Sequence, residues 1–297
     1  MDGFLKRDDV EGFWDGITQG SAESQQTGYL TPDWPDALGI NRFRGEWKQV
    51  SRWMRGYGVA RGTCLDVGCG TGLWLQHLAP RFERAEGVDI SAEMVARAQA
   101  LLTASGTTNA TVRCASVVDL AAQAQQRYDL IFVGGVLMYI NDEDLAEVIQ
   151  SLRAMLADGG LLVVRETTHR GATRYRDTPL LPGLFAEPDA RGRPYYAIYR
   201  ERHIIRDALA ANGLRVRRWG ANRHYKVSDL TEGQLGTVNK LLGGKLRSDR
   251  ARAETWARRL YRLRWLTTLP YYYVCHATRL PAWRLENHWF VCSRSSP

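Results

Sequence analysis

The sequence predicts an α/β fold in which a mostly parallel sheet is flanked by helices, and three observations carry that reading. Short apolar segments at Leu65–Val67, Glu86–Ile90, Tyr128–Val133 and Leu161–Thr167 alternate with longer stretches of helical periodicity, the order that builds βαβ units. The first segment runs directly into Gly68-Cys69-Gly70-Thr71-Gly72, a glycine-rich turn of the kind that joins a buried strand to a helix. The chain has 297 residues, 44% of them hydrophobic, enough for a substantial core and long for one plain α/β domain, so additions to the core are expected.

Leu65 and Val67 fit a strand interior, and Asp66 lies between them. Gly68, Gly70 and Gly72 let the backbone turn sharply and let a ligand approach main-chain atoms that a β-carbon would shield. A dinucleotide fingerprint needs glycine at the first, third and sixth positions, but the sixth position from Gly68 is Leu73. A phosphate loop needs Gly-Lys followed by Ser or Thr, and the chain has no such run. With an acid two residues ahead of the first glycine, Leu65-Asp66-Val67-Gly68-Cys69-Gly70-Thr71-Gly72 resembles motif I of the class I S-adenosylmethionine (SAM)-dependent methyltransferases. The resemblance implies a Rossmann-like seven-stranded sheet and SAM as cofactor. It implies that Asp66, Gly68, Cys69, Gly70 and Gly72 surround the amino acid end of that cofactor.

The second segment ends in Asp89 ahead of Ser91-Ala92-Glu93-Met94. A carboxylate at a strand end can accept both ribose hydroxyls, and the resemblance lays Ile90 and Met94 against the adenine. The bland alternative is that Asp89 caps a helix and Met94 is core. A third element, Thr111 to Leu120, has Ser116 where the family often carries an acid near the adenine amine, so the Ser116 hydroxyl or the Val117 backbone takes that part. Gly134 opens the loop Gly134–Ile140 after the fourth strand, which in the family lines the cleft between sulfonium and acceptor. The turn Asp158-Gly159-Gly160 ahead of the fifth strand is a further family signature, and the resemblance spans about residues 50 to 220.

No N-terminal segment reads as a signal peptide, and no apolar run approaches the roughly 20 residues that span a bilayer, so a cytoplasmic location is expected. The five cysteines show no paired ligand spacing, which argues for reduced thiols and no structural metal. Charge is uneven. Residues 240–284 carry eleven Lys and Arg against two acids, a net +9 in a chain whose total is +8.

Four regions are expected: an N-terminal helical extension over 1–58, the SAM-binding core over 59–220, a basic, aromatic-rich helical insertion over 221–286 between strands six and seven, and a last core strand over 287–297. The extension holds helical pieces at Val10–Ile17 and Asn41–Tyr57 and is expected to close over the cofactor, with Tyr29 near the acceptor and Arg44 pairing the cofactor carboxylate. The loop 168–194 follows the fifth strand and borders the ligand crevice. His169 and Glu166 are therefore candidate bases, with His224 a third. Met138, Tyr139, Tyr196 and Tyr225 join Tyr29 as candidate acceptor contacts. Each histidine also has a structural or solvated reading.

Three readings of the insertion compete. In one, Trp256, Leu260, Leu263 and Leu266 cover the core while arginines are solvated, and Pro270 ends the helix. In the others it is a lid over an anionic acceptor, or a peripheral contact with anionic lipid through 240–284. The expected function is methyl transfer to a small or medium-sized metabolite at an oxygen, nitrogen or carbon. An anionic macromolecule such as RNA is the alternative substrate, and a SAM-binding enzyme that transfers no methyl group is the alternative chemistry. Oligomeric state is not legible.

Overall fold

The computed structural model describes residues 4–18, 34–59, 61–123, 126–179, 184–185, 194–278 and 285–295. Helices α1 (Arg7–Thr18) and α2 (Asp36–Gly56) precede β1 (Thr63–Val67), α3 (Leu73–Leu78), β2 (Arg84–Asp89), α4 (Ala92–Ala104), β3 (Ala110–Cys114) and α5 (Val117–Gln123). Then follow β4 (Tyr128–Gly134), α6 (Leu145–Met155), β5 (Leu156–His169), β6 (Arg174–Arg176), β7 (Ala197–Tyr199), α7 (Arg202–Ala211), β8 (Leu214–Ala221), α8 (Arg223–Leu241), α9 (Arg250–Thr278) and β9 (Leu285–Arg294).

Seven strands form one sheet in the order β3-β2-β1-β4-β5-β9-β8, and β6 and β7 form a separate antiparallel ribbon. The first five are mutually parallel, while β9 lies antiparallel between β5 and β8. Alternation along the central strands supplies both faces of the core. Leu130 and Phe132 of β4, with Leu161 and Val163 of β5, join Trp74, Leu75, Leu78 and Ala98 on one side. Ile131, Val133, Leu162 and Val164 join α5, α6 and α7 on the other. Burial on both faces is why these strands are continuous apolar runs.

Several boundaries depart from the sequence reading. The element at 111–120 divides into β3 and α5. Beyond the loop 168–194, Ala197–Tyr199 pairs with Arg174–Arg176 as a short ribbon before α7 begins at Arg202. β5 begins at Leu156 and passes through Asp158-Gly159-Gly160 as an irregularity in its pairing with β4, where the carbonyls of Tyr128 and Asp129 leave Gly160 no room for a β-carbon.

The insertion consists, among the described residues, of α8 and α9. These pack with the start of α2 around a second core that includes Leu38, Val227, Leu235, Ala253, Ala257 and Leu260. The sequence expectation that Pro270 stops the helix fails, since α9 is continuous to Thr278. Proline removes one amide donor and crowds one carbonyl, a penalty that the rest of a 29-residue helix outweighs. Glu254 of α9 caps α2 across the chain, accepting the backbone amides of Asp36 at 2.6 Å and Ala37 at 2.9 Å. It supplies the acceptor that Pro35, at the cap position, lacks.

Glu46 of α2 binds these parts together. Its carboxylate, 1% exposed, accepts from Arg42 Nε at 3.0 Å, Arg165 Nη1 of β5 at 2.6 Å and Asn222 Nδ2 at 2.6 Å. Asn222 also donates to Asn287 Oδ1 of β9 at 3.0 Å. Burial alone would raise the Glu46 pKa, but Arg165, Arg42 and Asn222 outweigh it and hold it at about 2. The folded value lies below the ordinary 4.5, so this stabilisation is complete above about pH 4.5 and is lost as pH falls towards 2. Glu46→Ala leaves two guanidinium groups without their anion and is expected to cost about 3–5 kcal/mol. Denaturant melts between pH 2 and pH 7 check this: the gap between wild type and Glu46→Gln should be wide at pH 7 and narrow at pH 2, and a constant gap would contradict the assignment.

Candidate active site

The turn after β1 is built by backbone hydrogen bonds to β2. The amides of Gly68 and Cys69 both donate to the Val88 carbonyl, at 2.8 and 3.0 Å. The Asp89 carboxylate closes the arrangement by accepting the amides of Gly70 at 2.8 Å and Ser91 at 3.0 Å. Gly68 and Gly70 have φ of +66° and +52°, a region that side chains disfavour. A β-carbon at Gly68 would overlap the Val136 side chain, whereas the space beside Gly70 is open. Ser91 Oγ accepts the amide of Met94 at 3.1 Å as the cap of α4, and binds Asp15 of α1 at 2.5 Å.

A cavity of about 450 Å³ opens at the carboxyl ends of the strands. That size is typical of small-molecule and cofactor sites. Of the residues singled out for the cofactor, Gly68, Gly70, Asp89, Ile90, Ser116, Val117 and Gly134 line it. Leu5, Val10 and Trp14 of the N-terminal segment complete its wall. That segment is pinned by Asn141, whose side chain both accepts the Leu5 amide at 2.8 Å and donates to the Leu5 carbonyl at 3.0 Å.

Asp66 lies beneath the turn, 2% exposed, with Oδ2 lacking a hydrogen-bond partner among the described residues. Burial first, and the Asp89 charge second, push its pKa to about 8. Burial likewise raises Asp89 against the backbone amides that lower it. Two acids short of positive charge beside a glycine cradle fit a cationic ligand, as the sulfonium and ammonium groups of SAM require. Cys69 and Met94 are buried behind the wall, and Gly72 packs on Ala98 at the start of α3. Burial raises the Cys69 thiol well above its ordinary range, which leaves it a packing residue.

The Ser116 hydroxyl donates to Asp119 Oδ2 at 2.7 Å and accepts the Asp119 amide at 3.1 Å. Asp119, three residues later, thus places a carboxylate on the cavity wall beside Ser116. A side chain one helical turn along covers the same place, but the offset hides it from a position-by-position reading of the sequence.

The loop after β4 is held rigidly from below. Glu166, 1% exposed, accepts the amides of Leu137 at 2.7 Å and Thr167 at 2.9 Å, and burial brings its pKa up to about 7 in spite of those bonds. Arg200, 1% exposed, donates to the carbonyls of Leu137 at 2.7 Å and Ile140 at 2.6 Å and to Asp142 at 2.7 Å. Sequence reasoning missed Arg200, because nothing local distinguishes a buried arginine from the chain's many exposed ones. Tyr139 lines the cavity and donates to the Tyr195 hydroxyl at 3.2 Å, which also accepts from Tyr199 at 3.3 Å.

Other candidates lie elsewhere. Glu166 and His169 are buried in β5 and do not line the cavity; the two Glu166 oxygens are engaged by backbone amides, making it a support for the loop in place of a base. His224 and Arg44 line a different groove between α2, β8 and α9. There His224 stacks on Trp265 at 4.5 Å, and burial lowers its pKa to about 4. Met138 is buried under the loop with Tyr195 and Tyr199, and Tyr196 is half-buried outside the cavity wall. Tyr225 packs under the Arg42 guanidinium at 4.6 Å. Tyr29 lies outside the described residues. Among the described residues no cluster of His, Cys, Asp and Glu is arranged to hold a metal.

The raised Asp66 pKa has a testable sign. The folded state binds a proton more tightly than the unfolded chain, so Asp66 destabilises the ligand-free protein increasingly as pH rises from about 3.8 to about 8. Asp66→Asn is expected to raise the Tm of the ligand-free protein at pH 8, with little effect at pH 4. A lowered Tm at pH 8 would show that the carboxylate is satisfied.

Residues 64–160 match the family model described as a methyltransferase domain. The chain is 30% identical over 139 residues to a probable non-canonical nonribosomal peptide synthetase, CymA, of Salinispora arenicola, a match covering 44% of this chain and 2% of that protein. It is 26% identical over 133 residues to N-terminal Xaa-Pro-Lys N-methyltransferase 1-A of Xenopus laevis, covering 43% of this chain and 59% of that one. The match thus spans less than two-thirds of either curated relative. A SAM-dependent methyltransferase structure from Clostridium acetobutylicum ATCC 824 shares the fold over 97% of this chain and 99% of its own, with a TM-score of 0.51 at 12% identity. The matched span begins inside β1 and ends inside β5, so it contains the strand-end turns after β1, β2, β3 and β4 that border the cavity, and over those residues the chain is similar to a methyltransferase domain.

Proposed function

We propose that this protein transfers a methyl group from SAM to a small or medium-sized metabolite. The observation that carries the reading is the cavity itself: a glycine turn tied to Asp89 at one end, the Tyr139 loop at the other, and the N-terminal segment across it. In this reading Asp89 accepts the ribose hydroxyls with the lone pairs that Gly70 and Ser91 leave open. Asp66 and Gly68 to Gly70 hold the amino acid end, and Ser116 with Asp119 faces the adenine amine. Tyr139 and Trp14, whose rings meet edge to face at 5.8 Å, form the aromatic wall on which the acceptor packs.

Bound SAM supplies an electrophilic methyl group on a cationic sulfur. The protein's part is alignment and exclusion of water, which in favourable systems is worth roughly 7–11 kcal/mol of barrier. No described histidine lines the cavity, and burial raises the Tyr139 phenol far above its ordinary value, which makes it a hydrogen-bond donor. Orientation therefore carries the catalysis here, with the loop fixed by Arg200 and Glu166. A small acceptor is favoured over RNA because, among the described residues, the wall carries Asp89, Asp119, Asp144 and Glu147 against a single cation, Arg7, a poor match to a phosphate backbone.

Incubation with methyl-labelled SAM and a cell extract split into small-molecule, lipid and polymer fractions tests this. Label in the small-molecule fraction with one S-adenosylhomocysteine formed per methyl transferred is expected. Product formation with SAM left intact would mean non-methylating chemistry on the same fold, and label confined to RNA or protein would overturn the substrate class. For the cofactor assignment, Asp89→Ala and Asp89→Asn are both expected to weaken SAM binding about tenfold or more, the loss of hydrogen bonds to a charged acceptor. Unchanged affinity in both, measured by calorimetry, would remove Asp89 from the site.

A further inference from the structure

A second concavity, separate from the cofactor cavity, lies between α2, β8, α8 and α9 and encloses about 960 Å³. It shares no lining residue with the first. Six cations line it: Arg44, Lys48 and Arg52 from α2, Arg218 from β8, Arg223 from the start of α8 and Arg262 from α9. No Asp or Glu lines it, and none of the six makes an ion pair among the described residues. Glu46, two residues from Arg44 on α2, is already engaged by Arg42, Arg165 and Asn222.

The α2 cations recur every four residues and so share one helix face, in a helix whose opposite side is buried. The groove is also shaped. A β-carbon at Gly45 would overlap the His224 ring, so glycine there lets His224 seat against α2. The His224 ring in turn stacks on Trp265 at 4.5 Å and 16°, with the Arg223 guanidinium 5.0 Å from the same indole. The first amides of the 19-residue α8 open at this place and add the positive end of the helix to the side-chain charges. Burial keeps His224 neutral, so the ring adds a hydrogen-bonding group without another charge.

Six like charges converging on one groove repel one another unless an anion enters, and five of them are guanidinium groups, whose planar fork matches two oxygens of one phosphate. We propose that this groove is a second ligand site that takes a compact anion carrying two or more phosphate groups, bound between α2 and α9 with an attached ring or chain packing on Trp265 and Tyr261. The inference stands apart from the methyl-transfer reading, because it uses no residue of the cofactor cavity.

The probe is inorganic tripolyphosphate, titrated into the 297-residue chain by calorimetry at low and moderate salt, with citrate and a single-stranded RNA 20-mer as separate arms. Saturable tripolyphosphate binding at one site per chain, weakening as salt is raised, is expected. Arg44→Glu/Arg262→Glu, at two exposed positions, should reduce that affinity about tenfold or more, since it reverses two of the six charges. Lys48→Glu alone should give a smaller loss in the same direction. SAM affinity and Tm should stay near wild type in all three, separating the groove from the cofactor site and from misfolding. No saturable binding, citrate binding as tightly as tripolyphosphate, RNA binding without a tripolyphosphate response, or unchanged affinity in both the double and single variants would each overturn the proposal.

Discussion

The Glu46 carboxylate is the point on which the parts of this molecule converge. It lies on α2, yet its partners include Arg165 from β5, an interior strand of the sheet, and Asn222 at the head of α8, which in turn binds Asn287 of β9. A buried anion with two guanidinium partners has narrow geometric tolerance, because each misplaced hydrogen bond leaves a desolvated charge uncompensated. The position of α2 against the sheet is thereby set more sharply than apolar packing alone would set it. Arg165, one of the two cations, also closes on Gly134 at the mouth of the cofactor cavity, where a β-carbon would stand 3.3 Å from its Nη2. The helix that carries the second groove's cations and the strand that borders the first cavity therefore share one electrostatic anchor.

Charge is segregated between the two concavities. The cofactor cavity gathers carboxylates around a ligand expected to be cationic, and the second groove gathers five arginines and a lysine with no acid in its wall among the described residues. In each, the protein tolerates unfavourable self-repulsion where a ligand of opposite sign relieves it, the usual relation between strained electrostatics and function. The neighbouring carboxylates of buried Asp66 and half-buried Asp89 show the cost on one side, and the six cations, which make no ion pair among the described residues, show it on the other.

What the sequence discloses follows the range of the interactions involved. The turn Gly68–Gly72, Asp89, Ile90, Ser116 and Gly134 are legible because they are fixed by local strand-to-helix geometry, which a motif records. The seven-stranded sheet is legible for the same reason, as each strand is a short apolar run between breakers. The N-terminal wall and the support of the Tyr139 loop are harder. Arg200 reaches a loop some sixty residues earlier, and Leu5 is clamped by Asn141, 136 residues away, contacts that no local pattern encodes. His169 drew attention because it follows a strand end near the crevice, but the antiparallel pairing of β5 with β9 continues through it and keeps it in the sheet. His224 and Arg44 were sought at the cofactor because of their chemistry, and pairwise packing of α2 against α8 instead sends them together to the second groove.

The cap that Glu254 places on α2 has a consequence for how the chain reaches this state. The Asp36 amide and the carboxylate that accepts it are 218 residues apart, and Leu38 shares its core with α8 and α9. During synthesis α2 emerges early, with an uncapped first turn and an apolar face whose partners have not yet been made. Contacts of such sequence separation carry a large loop-closure cost and form late. The parallel strands β1 to β5 are assembled mainly from neighbouring segments, so they are positioned to pair first, leaving the start of α2 exposed until the last quarter of the chain, which also brings β9, arrives. That interval is when the protein is most open to aggregation, and it makes the α2–α8–α9 unit the part whose assembly sets the yield of native molecules.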